Sequence, residues 1–313
     1  MKCNCGALIK AIDAYIAKAD DDLTGELGEA GYIDPEGTVE HASKLEELTA
    51  AALVAETEYI LESLKDVVDL ETYVKEFWPD VKKNNQTAKN LFNIFWDDFT
   101  GYMKPLASKY IAVTDAELTV TAISKRTVAW MKSWSQQLAD LMVLDGNTMI
   151  EEILARGMDD GESIVKITRA IIDSGIRNEY YRARRVSLTE TLRAHSVASQ
   201  EAFMQSPAVE EKEWRHIGAY RTEPRQNHVD MDGQRVKKGK KFTLEGADGN
   251  TYYPEYPRDS ILPPGESVNC HCISQGIVSA AVLGLPVEER RKLQAAALAE
   301  MDGEWEQMQI EGM

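Results

Sequence analysis

A change in sequence periodicity after residue 207 is the feature that most constrains this fold. Before it, apolar residues recur at helical steps of three and four; within residues 41–68 the predicted stripe consists of Leu45, Leu48, Ala52, Ala55 and Tyr59. After it, residues 211–220 and 268–279 alternate as strands do, and loops rich in Gly, Pro and Asp separate them. This order predicts an α+β protein: a mainly helical N-terminal half, a small domain of helix and antiparallel strands, and a C-terminal helix.

Prolines, glycines and capping residues suggest where the segments begin and end. The predicted helix boundaries are four prolines and one capping pair: Pro79, Pro105, Pro207, Pro286 and Thr114–Asp115. Glycines and aspartates near residues 158–162 predict a break between helices. The chain is therefore expected to divide into an acidic helical domain (1–160), a mixed domain (161–280) and a C-terminal helix (281–313).

Charge is distributed unevenly along the chain. The net charge of −17 includes −14 in residues 1–160, whereas residues 177–241 carry +5. An acidic protein of this kind does not condense nucleic acid, but a local basic segment permits contact with DNA or an acidic partner. The candidate residues for that contact are Arg182, Arg184, Arg185, Lys237, Lys238, Lys240 and Lys241. The alternative is that these residues form an ordinary solvated surface.

Apolar segments and cysteines indicate the setting. No apolar run approaches the roughly 20 residues that a membrane-spanning helix needs, so no membrane association is expected. The N-terminus lacks the pattern of a secretory signal. Four cysteines in 313 residues do not make a disulfide framework, which favours a reducing, intracellular setting. Cys3 and Cys5 are expected either to lie in a mobile terminus or to form a metal-binding or oxidation-prone end.

A series of polar and aromatic residues in the second half carries a resemblance to a known family. In chain order it contains Thr189–Glu190, Trp214, Tyr220–Arg221, Arg225, His228, Asp232–Gly233, Phe242 and Asn269–Cys270-x-Cys272. In type and spacing this series resembles the phage Mu protein F-like minor head proteins, also called phage head morphogenesis proteins. One departure is Tyr220, where the family often has Asp. The resemblance covers about residues 160–280, and the N-terminal half resembles no family that we can name.

The resemblance implies a structural role rather than catalysis. Proteins of this kind are minor head components that associate with the portal and enter the procapsid during assembly. The implied partners are the portal protein, other head or scaffold proteins and, in some members, phage DNA during packaging or ejection. The expected location is the interior of the virion head near the portal vertex, and the host cytoplasm during assembly.

Cys270 and Cys272 form the most distinctive chemical pattern in the chain. Residues two apart on a strand face the same side, so both sulfurs can approach one atom while His271 points away. A disulfide between them would be strained, which leaves a zinc site as one interpretation. His228 is the expected third ligand, with His216 or Asp230 as the fourth. The alternative is two reduced thiols that pack in a small, loop-rich unit.

Glu190 and His195 are two further polar residues with expected roles outside the zinc site. Glu190 is expected to pair with Arg221 or Arg225 and join helix to sheet, or else to form an exposed pair on its own helix. His195 is expected to be a surface histidine of a helix.

A rival function is a metal-dependent nuclease or toxin-like enzyme that uses His216, His228, Cys270 and Cys272. Such an enzyme would need a second helix with a metal-binding histidine and a general base beside His228, and the sequence shows neither clearly. A catalytic thiol is also disfavoured, because His271 faces away from both cysteines.

Overall fold

The computed structural model describes residues 23–217, 224–268 and 270–311, apart from the side chains of residues 175–178. Five residues discussed above lie outside this part of the chain: Cys3, Cys5, Tyr220, Arg221 and Asn269. The described chain is mainly helical with two small antiparallel sheets, which confirms the predicted α+β class.

Two compact units make up the chain, and each combines separate stretches of sequence. The helical unit consists of residues 43–101 and 128–187, and the mixed unit contains the residues up to 42, residues 102–127 and those from 188 onward. The predicted boundary at 160/161 does not separate these units. The reason is packing: in the helical unit, side chains from before that boundary share one core with Ile167 and Ile171 beyond it.

Helices provide most of the described structure. They occupy residues 23–29 (α1), Pro35–Leu64 (α2), Leu70–Thr72 (α3), Trp78–Asn84 (α4), Thr87–Thr114 (α5), Lys125–Asp159 (α6), Ile164–Gln205 (α7), Gln226–Asp230 (α8), Pro264–Ser267 (α9), Ala280–Leu283 (α10) and Val287–Glu311 (α11). A π-helical turn, Tyr73–Phe77, joins α3 to α4. As predicted, α7 ends just before Pro207 and α11 begins just after Pro286.

The strands are short and belong to the mixed unit. They are Val209–Arg215 (β1), Arg235–Lys237 (β2), Leu244–Glu245 (β3), Thr251–Tyr252 (β4) and Ile273–Val278 (β5). The larger sheet has the antiparallel order β2-β1-β5, and β3 pairs with β4. Gly233, at a φ of 80°, forms the turn before β2, and its N–H donates to the carbonyl of Trp214 at 2.9 Å. The segment before this turn contains the short helix α8.

The predicted stripe of α2 has the wrong phase. Leu45 is buried, but Leu48 and Tyr59 are 45% and 39% exposed. The buried face instead runs along Leu45, Thr49, Leu53, Glu56, Ile60 and Leu64. Two polar residues lie on that face, and a pattern built from apolar residues alone cannot recognise it.

Two prolines that were expected to end helices do not end them. Pro79 lies in the first turn of α4, where a missing N–H leaves no hydrogen bond unmade. Pro105 lies inside α5, where proline costs about 3 kcal/mol, and burial of the following Leu106, Tyr110 and Ile111 offsets that cost. The next helix, α6, begins at Lys125 rather than at Thr114–Asp115, since Ser124 caps it by accepting from the N–H of Thr127.

Separate apolar clusters support the two units. The helical unit packs Ile60, Leu64, Tyr73, Trp78, Ile150, Ile153, Leu154, Ile167 and Ile171 together. In the mixed unit, the strand cluster comprises Trp214, Met231, Phe242, Leu244, Leu262, Cys270 and Cys272. A second cluster of that unit joins α1 and α2 to α7 and contains Leu23, Leu27, Ala30, Tyr32, Val39 and Leu192. Among the described helices, none is both long and apolar enough to cross a membrane.

Candidate metal centre

Three potential metal ligands meet inside the strand cluster. His228 comes from the short helix α8, and Cys270 and Cys272 come from the segment between α9 and β5. Their ligand atoms all lie within 4.8 Å of one another, and all three residues are buried. The structure therefore brings together three of the four residues that the sequence proposed as metal ligands.

Distances among these atoms suit tetrahedral coordination. The Nδ1 atom of His228 lies 3.5 Å from Sγ of Cys270 and 3.6 Å from Sγ of Cys272. Zinc bonds of about 2.3 Å to sulfur and 2.0–2.1 Å to nitrogen, at the tetrahedral angle, separate the two ligand atoms by about 3.6 Å. The side chains are already arranged at the spacing that a shared zinc ion requires.

Glu266, from α9, holds the far side of the His228 ring. Its Oε2 lies 2.8 Å from Nε2 of His228 and 3.0 Å from Nδ2 of Asn227, while its Oε1 accepts from the N–H of Ala247 at 2.8 Å. A carboxylate at Nε2 keeps the proton there and leaves the Nδ1 lone pair directed at the sulfurs. This is the tautomer that a metal ligand needs.

The ionisation of the cluster reflects burial and close contacts. Burial alone would lower the pKa of His228, but Cys270 and Glu266 outweigh it and raise that pKa. The hydrogen bond with Cys272, assisted by His228 and Arg258, lowers the pKa of the Cys270 thiol well below its usual range although burial opposes this. The same hydrogen bond and burial raise the pKa of Cys272. Cys270 is thus the thiol that ionises first.

The proposed fourth ligands differ in position. His216 follows β1 and places its Nδ1 3.5 Å from Sγ of Cys272, and its backbone N–H donates to Oδ1 of Asp232 at 2.9 Å. Asp230, in contrast, is exposed and accepts a hydrogen bond from Gln226. The geometry favours His216.

Arg258 and Tyr32 position the backbone of the Cys-x-Cys segment. The buried guanidinium of Arg258 donates to the carbonyl of Cys270 at 2.5 Å and to Oγ of Ser196 at 2.8 Å, and it lies 5.8 Å from the Tyr32 ring centre. The Tyr32 hydroxyl donates to the carbonyls of His271 and Cys272 at 3.2 and 3.4 Å. Among the described residues, no carboxylate forms a salt bridge with Arg258. Its positive charge therefore favours thiolates nearby.

The sequence did not indicate Glu266, Arg258 or Tyr32 as site residues. Glu266 lies in a Pro-Gly-rich segment four residues before Cys270, and this closeness in sequence is the one signal that could have found it. Arg258 lies in a loop, and Tyr32 is more than 230 residues away from the carbonyls that it contacts, so neither has a local signal.

The predicted ion pair of Glu190 differs in the structure. Glu190 pairs with Arg193 on the same helix at 2.9 Å, and both side chains are buried rather than exposed. Arg225 instead donates to the carbonyl of Val268 at 2.6 Å, so the pair between Glu190 and Arg225 is not formed. The physical reason is that Val268 lies at the end of α9, where carbonyls lack helical partners. The pairing of Glu190 with Arg221 lies outside the described residues.

His195 is buried and contacts three hydroxyl groups, whereas the sequence predicted a surface histidine. Its Nε2 lies 2.9 Å from the Thr38 hydroxyl and 3.3 Å from that of Tyr102, and its Nδ1 lies 2.9 Å from the Tyr110 hydroxyl. Burial, with smaller effects of nearby positive charges, lowers the pKa of His195 to about 3. The prediction was wrong because the hydroxyl partners come from other helices, which periodicity within one helix does not reveal.

Several of the predicted DNA-contacting residues are already engaged. Arg182 is buried and donates to the carbonyl of Met142, and Arg184 pairs with Glu46 at 2.9 Å. Arg185 lies over the ring of Tyr181. In the mixed unit, Lys238 donates to the carbonyls of Met204 and Ser206. The exposed candidates there are Lys237, Lys240 and Lys241.

The fold and the site define the class of this protein: an α+β protein whose small sheet carries a buried histidine–cysteine cluster. Residues 148–275 match the family model described as phage Mu protein F like protein. A Bacillus subtilis (strain 168) protein described as uncharacterized protein YqbB is 30% identical over 315 residues, 94% of this chain and 98% of that protein. No solved structure matches the chain. The protein belongs to the phage Mu protein F-like family.

Proposed function

We propose that this protein is a minor structural protein of a phage or prophage head that associates with the portal during head assembly. The observation that carries the proposal is the family match over residues 148–275. The matched stretch contains α7, β1, β2 and the Cys-x-Cys segment, and it ends within β5. The family connects the protein with phage head morphogenesis, and the portal is the partner that we infer.

The burial of the histidine–cysteine cluster supports a structural role over an enzymatic one. Catalytic zinc sites keep a coordination position open to water or substrate, whereas structural sites are closed. His228, Cys270 and Cys272 are 2–3% exposed, and the far side of His228 faces Glu266. A substrate has no direct access to these ligands, so we do not favour the nuclease or toxin-like alternative.

Charge suggests how the protein meets its partners. The acidic helices between residues 23 and 160 are the surface that we infer for a portal or scaffold protein, with exposed carboxylates such as Glu47 and Asp140. In the mixed unit, the exposed Lys237, Lys240 and Lys241 are candidates for contact with packaged DNA. Such contacts would be salt-dependent because they release counterions.

Co-expression with the portal protein encoded nearby tests the proposal. We expect the two proteins to co-purify and the chain to be incorporated into procapsids. The double variant Glu47→Lys, Asp140→Lys should weaken co-purification, whereas Glu304→Lys on α11 is a control with one exposed carboxylate reversed. If the two proteins never associate or co-assemble, the portal proposal fails. Cleavage of DNA or RNA with added Mg²⁺ that is lost in His228→Ala would establish the enzymatic alternative instead.

A further inference from the structure

We propose that His216, His228, Cys270 and Cys272 bind one Zn²⁺ ion that closes the small sheet of the mixed unit, with Glu266 orienting His228. The proposal does not rest on the portal association, because it concerns the chain alone. Three of the ligand atoms already lie within 4.8 Å of one another, and Nδ1 of the fourth residue lies 3.5 Å from a ligand sulfur.

The chemistry of the ligands selects the metal. Two sulfurs and two imidazole nitrogens form a set that structural zinc sites use, and harder cations such as Mg²⁺ and Ca²⁺ prefer oxygen. Both nitrogen-to-sulfur distances at His228, 3.5 and 3.6 Å, agree with the separation of about 3.6 Å that tetrahedral zinc imposes. His228 and the two cysteines are therefore close to their bound spacing, whereas His216 contacts Cys272 and lies outside this group of three.

Charge balance also favours the site. On binding, the two thiols release their protons to solvent, and two thiolates with two neutral imidazoles leave the Zn²⁺ centre uncharged overall. A neutral centre suits a buried position far better than a charged one. The guanidinium of Arg258, which donates to the carbonyl of Cys270, stabilises the thiolates further.

The carboxylate at Nε2 of His228 is a partner that zinc-bound histidines usually have. Glu266 is at 2.8 Å from Nε2 of His228, and two further donors, Asn227 and the N–H of Ala247, fix the carboxylate. Such an arrangement sets the ring orientation and raises the basicity of the ligating nitrogen. With its proton on Nε2, His228 directs its Nδ1 lone pair at both sulfurs, as coordination of one shared ion requires.

Zinc binding would join three separate segments of the chain. The ligands come from the end of β1, from α8 and from the segment before β5, which lie up to 56 residues apart in sequence. The strand cluster that surrounds these ligands is small, and folded units with so small a core often depend on a metal or a disulfide. One ion would tie the three segments together.

Zinc content of the full-length protein, purified without added metal and without a histidine tag, is the first test. We expect about one zinc per chain, lost in Cys270→Ser and Cys272→Ser. His271→Gln is the matched control, because this histidine lies between the cysteines but outside the cluster, and it should keep its zinc. Less than a few tenths of a zinc per wild-type chain, or full zinc in both serine variants, would overturn the proposal.

Two milder variants keep the test informative if the serine variants do not fold. Glu266→Gln should weaken zinc affinity by about 10–100-fold, measured by competition with a chromophoric chelator. The Co²⁺-substituted protein should show the strong visible bands of tetrahedral coordination, and His216→Ala should reduce their intensity and weaken zinc binding at least about tenfold. Unchanged spectrum and affinity in His216→Ala would contradict its assignment as a ligand.

Discussion

The helical unit and the strand module have cores that are built in different ways. The strand module is the part of the mixed unit that surrounds the strand cluster, residues 209–278. The helical core consists of nine buried side chains, among them the aliphatic residues Ile60, Leu64 and Ile150 from long helices. The strand cluster has seven buried members, two of which are cysteines. The first core is held mainly by apolar area, whereas the second combines a few large side chains with buried polar groups.

Buried polar groups are therefore the distinguishing feature of the strand module. Lys212 of β1 is fully buried, donates to Gln200 and to the carbonyl of Glu255, and lies 5.3 Å from the Phe242 ring centre. Burial lowers the pKa of Lys212 to about 8. Arg258 is likewise buried. Such groups stabilise a fold only while every partner stays in place, so this module should respond sharply to single changes.

Replacement of Trp214 tests the dependence on a few large side chains and should have the largest effect. Trp214 is completely buried and packs edge-on against Phe242 and His228. Trp214→Ala should lower the free energy of unfolding by about 3–5 kcal/mol in urea titrations, because it leaves a cavity among few neighbours. Trp305→Ala on the half-buried face of α11 is the control and should cost clearly less. Equal costs would show that the module does not depend on Trp214.

Removal of the Arg258 charge tests the dependence on buried polar contacts. Arg258→Met keeps much of the volume but leaves the carbonyl of Cys270 and Oγ of Ser196 without their donor. We expect a loss of about 2–6 kcal/mol in the free energy of unfolding, since each of the two buried polar groups left unpaired costs about 1–3 kcal/mol. Arg291→Met removes an exposed arginine that pairs with Glu288 and should cost less than about 0.5 kcal/mol. A neutral Arg258→Met would contradict the comparison.

The same contrast explains which parts of the fold could be predicted. Long helices and the Pro286 start are visible because their signals are local. The buried face of α2 cannot be predicted from apolar residues, since Thr49 and Glu56 lie on it. Pro105 was expected to end α5, but burial of the residues beyond it decides that the helix continues. In the strand module, strand existence was predictable, while α8 was not recognised.

The candidate site was predictable only as far as its ligands. Spacing of two along an extended segment indicates that Cys270 and Cys272 face the same side, and His228 was proposed beside them. Glu266 and Arg258 act through contacts between segments that no local pattern connects. His195 likewise resembled a surface histidine because its partners come from other helices.

The pH dependence of stability tests whether His195 is held neutral by burial. Its pKa is about 3 in the fold against an unfolded value near 6.5; Arg258, His41 and Lys109 disfavour its charged form and Asp34 favours it. The unfolded chain binds the His195 proton more tightly than the folded chain does. The contribution of neutral His195 to the free energy of unfolding is therefore complete above pH 6.5 and declines as the pH falls toward 3. Between pH 7 and 5 the loss is about 2 kcal/mol. In His195→Gln this dependence should be absent from urea unfolding curves; an unchanged slope would contradict it.

Two lysines of the basic segment, Lys238 and Lys240, give the smallest effects and separate a structural from a binding role. Lys238 donates to the carbonyls of Met204 and Ser206 at 3.2 and 2.7 Å, at the end of α7, where helix carbonyls lack partners. Lys238→Ala should therefore lower the free energy of unfolding by about 1 kcal/mol. Lys240→Ala, two residues on and exposed, should change it by less than about 0.5 kcal/mol.

DNA binding should show the reverse order for these two variants. If the lysines contact packaged DNA, Lys240→Ala should weaken retention on DNA at low salt more than Lys238→Ala does, since the Lys238 ammonium is already engaged. The measurement is the salt concentration that elutes each variant from immobilised DNA, with thermal unfolding recorded in parallel. Equal elution of both variants and the wild type would remove these lysines from the DNA surface while leaving the helix-end role of Lys238 intact.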